Sequence, residues 1–502
     1  MTRRAGRGRA GADLLAALDQ RLSEAAAVLL EPAVPVVGTG PGAAAATLLP
    51  RLVRLCQDPA RDDARWLLLT AAFGAFPTDA QLKAFGRYLE LVPAEIAESA
   101  LLADVLHNSG RGRVDLEMTV VDSGVVVDVD FCARNDFNTG IHRVVRETVP
   151  RWRAEHPLVA AAWIDEYSSF RELAPRESAR VFAFGRDVHI DAAAESRYRP
   201  RLVVPWRSVV VLAEVPDGRA GGRLAALARS SGNELALIGY DMIPITSADM
   251  RPADDAVAFA QYLTVVKHAH RVAGISRSAA AEFAGFATSV QAQGLAGPVV
   301  REVQLAGEAP GTARPAAQRR GRRPVVLCLG SREPHKNQRA ALHAAERLWR
   351  EGLDFEVRLV GGPGWSEDTL RRAIERLQRA RRPLQTLGKV SDARLIQEMR
   401  AARVVVFASL HEGYGLPVAE ALATGTPVIT SNFGSQAEIA ESGGCLTVDP
   451  RDDADLTAAL RAALTDDELI ARLRAEAASR PVRTWDEYAG ELWDFLILGR
   501  TA

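Results

Sequence analysis

Cysteine, long apolar runs and an excess of charge are all missing from this sequence, and each absence excludes a class of protein. The four cysteines, Cys56, Cys132, Cys328 and Cys445, lie far apart and form no CxxC pair. Such spacing argues against a disulfide framework or a zinc site and is typical of a reducing cytoplasm. No apolar run has transmembrane length, and no apolar segment follows the N-terminal arginines, so neither a membrane span nor a secretory signal is expected.

The charges balance almost completely. Lysine and arginine total 62 and aspartate and glutamate total 63, which gives a formal net charge of −1 over 502 residues. A net charge so close to zero gives the chain no overall electrostatic attraction to nucleic acid. Among the basic residues only Lys83, Lys267, Lys336 and Lys389 are lysines and the other 58 are arginines. Each lysine therefore draws attention, because an ammonium and a guanidinium group serve different purposes.

Changes in the hydrophobic pattern divide the sequence into five parts. Apolar residues at helical spacing predict an all-helical accessory domain over 1–110, in which Pro50 should break or kink a helix. Short valine-rich strands alternate with amphipathic helices over 111–304 and again over 324–484, and residues 305–323 have the composition of a linker. A last amphipathic helix occupies 485–502. The alternation predicts an α/β protein with two doubly wound parallel sheets and a ligand cleft between them.

The densest motif runs from Ser409 to Glu420, with the sequence SLHEGYGLPVAE, between a predicted strand and a predicted helix. Gly413 and Gly415 let backbone N–H groups approach a ligand closely, and the start of the helix suits a diphosphate. Glu412 and Glu420 could accept hydrogen bonds from the hydroxyls of a sugar or ribose. The structural alternative is that Glu412 is a solvated loop charge and Glu420 a partner of the helix dipole.

A second motif, Leu329 to Asn337 with the sequence LGSREPHKN, also joins a predicted strand to a helix. We expect Asn337 to cap the helix. Lys336, just before it, would point into the same cleft, where its ammonium could neutralise a departing diphosphate. The alternative is a surface lysine paired with an acidic residue of the helix. Gly361 to Gly364 follows another strand, but on its own it predicts only a tight turn.

These motifs resemble family 4 of the retaining glycosyltransferases, which have the GT-B fold of two Rossmann-like domains. Glu412 and Glu420 match the E-x7-E element of that family, and Glu333 to Asn337 matches its EPRKN element with His335 in place of arginine. The resemblance implies that Glu412 and the amides of Gly413, Tyr414, Gly415 and Leu416 hold the donor sugar and phosphate, that Glu420 binds the ribose, and that Lys336 contacts the diphosphate. Many members of the family carry an arginine in this loop, and Arg332 lies one position later in the sequence than that arginine.

A weaker likeness extends into the first predicted sheet domain. Asp130 to Arg146 is similar to a TGIQRV loop and helix of a bacterial branch, where Gly140 would face the donor phosphates and His142 replaces glutamine. Solvent exposure of Arg143 and Arg146 is an equally good interpretation. Asp241, in Tyr240 to Pro244, resembles an acidic strand end that could orient the acceptor or a sugar hydroxyl. A turn-capping aspartate is the alternative.

The resemblance implies a retaining enzyme that transfers a hexose from a nucleotide-sugar donor to a carbohydrate or lipid-linked acceptor, as in cell-envelope polysaccharide synthesis. Lys336, Glu412 and Asp241 are then the expected catalytic residues. No cofactor is expected and no metal, since the family is generally metal-independent. An epimerase or phosphorylase of the same fold, or a catalytically silent binding subunit, are the alternatives. The expected location is the cytoplasm or the inner membrane face, and residues 1–110 could contact a membrane or a second copy.

Overall fold

A computed structural model describes residues 2–107, 112–187, 189–308, 323–365 and 368–500 of the chain. Most of the predicted linker, including its basic segment Arg314 to Arg323 apart from Arg323 itself, lies outside the described residues. The helices before the first strand are α1 (Thr2–Leu29), α2 (Ala43–Cys56), α3 (Asp62–Phe73), α4 (Asp79–Leu91) and α5 (Ala94–His107).

Helix α2 continues through Pro50, so the predicted break at this proline is wrong. The helix buries one apolar face, made by Leu48, Leu49, Leu52 and Val53, against its neighbours. The packing of this face stabilises the helix more than the lost hydrogen bond of the proline destabilises it. The helix that begins at Gly140 likewise continues through a proline, Pro150, and ends at Glu155.

The first sheet has nine strands in the order β1-β5-β4-β3-β2-β6-β7-β8-β9. Their bounds are β1 (Met118–Asp122), β2 (Val125–Asp128), β3 (Val159–Trp163), β4 (Phe170–Glu172), β5 (Leu202–Trp206), β6 (Val209–Leu212), β7 (Glu234–Gly239), β8 (Arg271–Gly274) and β9 (Val299–Glu302). Strand β4 runs antiparallel to both of its neighbours, so the expectation of a purely parallel sheet is wrong here. The helices around this sheet are α6 (Asp130–Arg134), α7 (Gly140–Glu155), α8 (Pro175–Phe182), α9 (Ala192–Arg197), α10 (Gly221–Ser230), α11 (Ile243–Thr246), α12 (Ala253–Val266) and α13 (Arg277–Val290).

The second sheet has six parallel strands in the order β12-β11-β10-β13-β14-β15, which is the Rossmann order. Its strands are β10 (Val325–Leu329), β11 (Glu356–Val360), β12 (Leu384–Gly388), β13 (Val404–Phe407), β14 (Val428–Ser431) and β15 (Cys445–Val448). Its helices are α14 (Gln338–Arg350), α15 (Asp368–Arg379), α16 (Asp392–Ala401), α17 (Leu416–Ala423), α18 (Gly434–Ala440), α19 (Asp453–Thr465) and α20 (Asp467–Ser479).

Two packing relationships tie the parts of the chain together. The buried side chains of α1–α5 belong to the same hydrophobic core as one face of the first sheet, from Leu18 through Val126 to Phe283. The last helix, α21 (Trp485–Leu496), packs on α7 and β8 of the first sheet domain, where Trp152 Nε1 donates to the Ala489 carbonyl at 2.8 Å. The chain therefore passes from the first sheet domain to the second and returns.

Candidate active site

The two glycine-containing motifs meet at the carboxyl edge of the second sheet. They follow β10 and β13, which are adjacent in the sheet although α14, α15, α16 and two strands separate them along the chain. This is the point at which the strand order reverses, and the loops that leave it diverge and form a crevice. The fold thus brings together residues that lie about eighty positions apart.

Gly413 and Gly415 are required by the backbone geometry of the loop before α17. Gly415 has a φ of +109°, which side chains rarely tolerate, and it immediately precedes the first residue of the helix. A Cβ on Gly413 would lie 2.3 Å from the carbonyl oxygen of Tyr240 in the first sheet domain. Ser276 Oγ donates to the Gly413 carbonyl at 2.7 Å, and Tyr414, which is buried, donates to the Leu305 carbonyl at 3.0 Å. The loop is therefore docked on the opposite domain.

Lys336 and Glu412 form a close ion pair across the two loops. The Lys336 ammonium lies 2.7 and 2.8 Å from the two oxygens of Glu412, and 5.4 Å from the centre of the Phe407 ring. Only 17% of the lysine side chain and 10% of the glutamate side chain are exposed. The partner of Lys336 is thus a loop carboxylate at the sheet edge and not an acidic residue of α14. Glu412 is mostly buried and not a solvated loop charge.

Glu420 is buried on α17 and forms an ion pair with Arg143 of α7. Arg143 also donates to the Glu308 carbonyl at 3.1 Å, so it links the second sheet domain to the first. Arg146, one turn further along α7, donates to the carbonyls of Phe137 and Cys132 at 2.8 and 3.2 Å. The interpretation of Arg143 and Arg146 as solvent-exposed residues is therefore wrong. Arg143 contacts the second sheet domain, and Arg146 is bonded to the carbonyls of neighbouring loops.

The start of α7 faces the start of α17. A Cβ on Gly140 would lie 3.8 Å from a methyl group of Leu416, which is ordinary contact, so no steric requirement for glycine acts here. His142 stacks on Phe131 with ring centres 4.1 Å apart, and burial lowers its pKa to about 4, which keeps the ring neutral. The first turn of α7 therefore brings Arg143 to the helix that carries Glu420.

Asp241 follows β7 and lies beside the glycine loop of the second sheet domain. A Cβ on Gly413 would be 3.1 Å from the Asp241 Cβ. Burial, together with the nearby charges of Glu282 and Glu412, raises the pKa of Asp241 to about 6, although the Ile243 N–H and His411 act in the opposite direction. Its Oδ1 accepts from the backbone N–H of Ile243 at 3.1 Å, so the turn-capping interpretation holds for one oxygen. The other oxygen, Oδ2, faces the loop, since a Cβ on Gly413 would lie 3.2 Å from it.

His411 brings a further titratable group to Asp241. Its Nδ1 lies 2.8 Å from Ser247 Oγ and its Nε2 lies 3.1 Å from Glu282 Oε1, both in the first sheet domain. Burial lowers the pKa of His411, but Glu282 and Asp241 outweigh this and raise it above its ordinary value. Sequence reasoning missed His411 and Glu282, although His411 lies directly before Glu412 in the motif.

Asn337 has a different structural role from the one that the sequence suggested. Asn337 has a φ of +52° and its side chain donates to the carbonyls of Ala408 and Pro450, so it does not cap α14 with its side chain as predicted. Arg332 lines a cavity of about 710 Å3 between α14 and α15. Gly361 is needed for close approach, because a Cβ there would lie 1.9 Å from the Gly330 carbonyl oxygen.

A buried carboxylate on the first sheet holds the loop that leads to α7. Glu214 accepts from the backbone N–H groups of Phe131 and Cys132 at 2.7 and 2.8 Å, and burial raises its pKa to about 7. Asp128 and Asp130 are also buried beside Trp163. Within the ranges that the structure describes, no cluster of histidine, cysteine and acidic residues is arranged to hold a metal ion. In the same ranges, no helix has the length and apolar character needed to cross a membrane.

Two domains with Rossmann-like sheets that face each other define the GT-B fold, here preceded by helices. The crystal structure of α,α-trehalose 6-phosphate synthase from Burkholderia multivorans matches this chain with a TM-score of 0.50 at 13% sequence identity, over 75% of this chain and 96% of that one. At this identity the likeness concerns the fold alone.

Residues 312–480 match the family model described as glycosyl transferases group 1. The O-antigen chain mannosyltransferase B of Escherichia coli is 37% identical over 143 residues, which cover 28% of this chain and 37% of that protein. A glycogen synthase of Mycobacterium tuberculosis is 34% identical over 190 residues, which cover 37% of this chain and 45% of that protein. The chain thus spans less than half the length of these relatives, and its second sheet domain is related to the glycosyl transferases group 1 family.

Proposed function

We propose that this chain is a retaining glycosyltransferase that transfers a hexose from a nucleotide-sugar donor to an acceptor hydroxyl in the synthesis of a cell-envelope polysaccharide or glycoconjugate. The observation that carries this proposal is the Lys336–Glu412 pair, held at 2.7 and 2.8 Å beside the Gly413–Gly415 amides at the switch point of a Rossmann sheet. The match of residues 312–480 to glycosyl transferases group 1 supports it.

Each group at this edge has a chemical part in the proposed transfer. The diphosphate of the donor would lie at the start of α17, where the backbone amides of Gly413 to Leu416 and the helix dipole favour an anion. When the bond between the sugar and the diphosphate breaks, negative charge grows on the leaving phosphate, and the Lys336 ammonium would neutralise it. Glu412 would then accept hydrogen bonds from sugar hydroxyls, and Glu420 from the ribose.

Asp241 would orient the acceptor hydroxyl from the opposite domain. Its pKa of about 6 leaves it ionised at neutral pH, when it accepts a hydrogen bond from the attacking hydroxyl. The attack would occur on the face of the sugar from which the diphosphate departs, which retains the anomeric configuration. Docking of the 409–415 loop on Tyr240 and Ser276 would exclude water and so limit hydrolysis of the donor.

Thermal stabilisation by a panel of nucleotide sugars tests the donor half of the proposal. A ligand at 100 times its Kd stabilises the native state by about 2.7 kcal/mol, which a melting experiment resolves. Donors of mannose and glucose come first, because the two relatives named above are a mannosyltransferase and a glycogen synthase. Glu420→Ala should weaken binding of the stabilising nucleoside diphosphate in calorimetry, whereas Glu375→Ala, on the exposed surface of α15, should not.

Product analysis tests the reaction. NMR of the product should show a new glycosidic bond with the anomeric configuration of the donor. A rearranged nucleotide sugar would instead identify an epimerase, and a sugar phosphate would identify a phosphorylase. An inverted anomeric configuration would contradict the retaining mechanism but leave the transfer itself in place.

A further inference from the structure

A second cavity, far from the nucleotide-sugar residues in the sequence, lies where the N-terminal helices meet the first sheet domain. It has a volume of about 260 Å3 and is lined by α3, α4 and α5 together with Arg223 of α10. Its walls are mainly apolar and aromatic, with Leu69, Phe73, Phe76, Phe85, Tyr88 and Leu101 among the lining residues. Such a lining favours the hydrocarbon part of a ligand.

Arg223 places a cation in the wall of this apolar cavity. Its Nε is buried and has no hydrogen-bond partner in the part of the chain that the structure describes. Burial lowers the pKa of Arg223, and Glu166 counteracts this from the neighbouring loop. Arg223 is half-buried, and a buried Nε–H without a hydrogen-bond partner costs free energy, so the site favours an anion that completes its contacts. The acidic residue of the cavity, Asp104, is exposed and can remain in water.

The cavity lies beside the loop that follows β3 at the carboxyl edge of the first sheet. The backbone N–H of Phe76 donates to the Ser168 carbonyl at 2.9 Å, and the Phe76 ring packs 6.2 Å from that of Trp163 at the end of β3. Between these residues Glu166 and Tyr167 both have positive φ angles, of +59° and +55°. Two adjacent residues in this conformation store strain, which clusters at ligand sites.

The same loop reaches the buried carboxylates at the edge. Arg219 lies 4.6 Å over the Tyr167 ring, and Asp130 and Asp217 act as neighbouring charges on the Tyr167 hydroxyl. Asp130 follows β2, the strand at which the order of the first sheet reverses. One short loop therefore separates the apolar cavity from the edge that presents the acceptor in the proposed reaction.

We propose that this cavity binds the hydrocarbon part of an anionic, single-chain amphiphilic acceptor, with its phosphate on Arg223 and its sugar end over the carboxyl edge of the first sheet. The acceptor role rests on the proposed glycosyltransferase function, whereas binding of the amphiphile does not depend on it. The N-terminal helices are then part of the acceptor site, because three of them supply the apolar walls.

Calorimetry with n-decyl phosphate tests the proposal, with n-decanol and inorganic phosphate as separate probes. The full chain should bind decyl phosphate at least tenfold more tightly than either probe, since both ends of the molecule have a partner. Each added methylene should tighten binding about fourfold until the cavity is full. Arg223→Gln should weaken decyl phosphate binding at least tenfold and change decanol binding less than twofold.

Two further variants separate this site from adsorption at the surface. Arg87→Gln removes the same charge from the exposed side of α4, outside the cavity, and should leave binding unchanged. Ala84→Trp should fill the cavity and abolish binding, and Ala84 is exposed enough to accept the larger side chain. Nucleoside diphosphate binding by each variant reports whether it is folded.

Several outcomes would overturn the proposal. These are equal binding of decyl phosphate by Arg223→Gln and the wild type, equal loss in Arg87→Gln, or binding that survives Ala84→Trp. Inorganic phosphate that binds as tightly as decyl phosphate would show a plain anion site instead. Stabilisation by a nucleotide sugar without any alkyl phosphate binding would contradict this inference and leave the proposed function intact. Alkyl phosphate binding without stabilisation by any nucleotide sugar would contradict the proposed function and leave the amphiphile site intact.

Discussion

Lys336 and Glu412 form an ion pair at the position where the donor of the proposed reaction would need both residues. Their side chains are largely buried, so the ion pair is stronger than a pair in water, and each residue loses a partner when the other is removed. A diphosphate that enters the crevice has to compete with Glu412 for the ammonium. The pair holds the Lys336 side chain in a fixed orientation at this edge of the sheet.

We expect Lys336→Ala to lower kcat by about 10²–10³-fold, the usual loss when a group that stabilises developing negative charge is removed. Steady-state kinetics with the donor found in the thermal screen would measure this. Lys83→Ala is the matched control, because Lys83 is an exposed lysine on α4 that pairs with Asp79. Turnover within threefold of the wild type would remove Lys336 from the mechanism.

Glu214 makes a separate prediction about pH and stability. Burial raises its pKa from 4.5 to about 7 in the folded protein, so the folded state binds the proton more tightly than the unfolded chain. The resulting stabilisation is present below pH 4.5 and is lost as the pH rises through 7. We expect the wild type to lose about 2–3 kcal/mol relative to Glu214→Gln between pH 5 and pH 8. Urea unfolding at both pH values measures it, and an equal change in both proteins would contradict it.

At the scale of loops and helices, the glycine loop between β13 and α17 is the element that brings the two domains together. A Cβ on Gly413 would overlap the Tyr240 carbonyl oxygen at 2.3 Å, and backbone cannot move aside as a flexible side chain can. The loop would have to withdraw and lose the hydrogen bond from Ser276 to the Gly413 carbonyl.

Gly413→Ala should therefore reduce activity at least tenfold while each domain stays folded, because the contact lies between the domains and outside both sheet cores. Activity assays and far-ultraviolet circular dichroism would report the two properties. Gly285→Ala, on α13 where an added Cβ meets nothing within 4 Å, should keep full activity and gain up to about 1 kcal/mol of stability. Full activity of Gly413→Ala would contradict this account, because it would show that the loop can lie farther from Tyr240 without loss of function.

The second sheet was predictable in detail, since each strand is a short apolar run and each helix follows with an amphipathic pattern. The sequence also predicted that Lys336 points into the same cleft as the 409–420 motif, whereas its pairing with Glu412 became visible only in the structure. The first sheet was harder to predict from the sequence. Strand β5 contains Pro205, a residue that is unusual inside a strand, and β4 has only the three residues Phe170 to Glu172.

The contact between Arg143 and Glu420 could not be inferred from the sequence. The two residues are 277 positions apart and belong to different sheet domains, so their meeting depends on how the domains dock. Periodicity assigns each of them to a helix face but carries no information on that docking. Arg251 and Glu333, 2.9 Å apart across the same boundary, were missed for the same reason.

At the scale of the whole molecule, α21 returns to the first domain and covers part of its core. Leu492 is fully buried in the core that contains α7 and β8, whereas Leu498, just after the helix, is 49% exposed. Because a large buried side chain leaves a cavity when truncated, Leu492→Ala should lower the free energy of unfolding by about 2–5 kcal/mol. Leu498→Ala should change it by less than about 0.5 kcal/mol, and equal effects in urea unfolding would contradict this account.

The single core shared by α1–α5 and the first sheet bears on how this chain can be recombined with other proteins. A truncation just before β1, where the helices end and the strands begin, would expose the buried side chains of Met118, Leu202 and Phe170. We expect the remaining fragment to be insoluble. Exchanges of the second sheet domain are better made with a crossover near Leu305 to Glu308, keeping α21 with the first half. Chimaeras built this way would keep the N-terminal helices, the first sheet and their shared core intact.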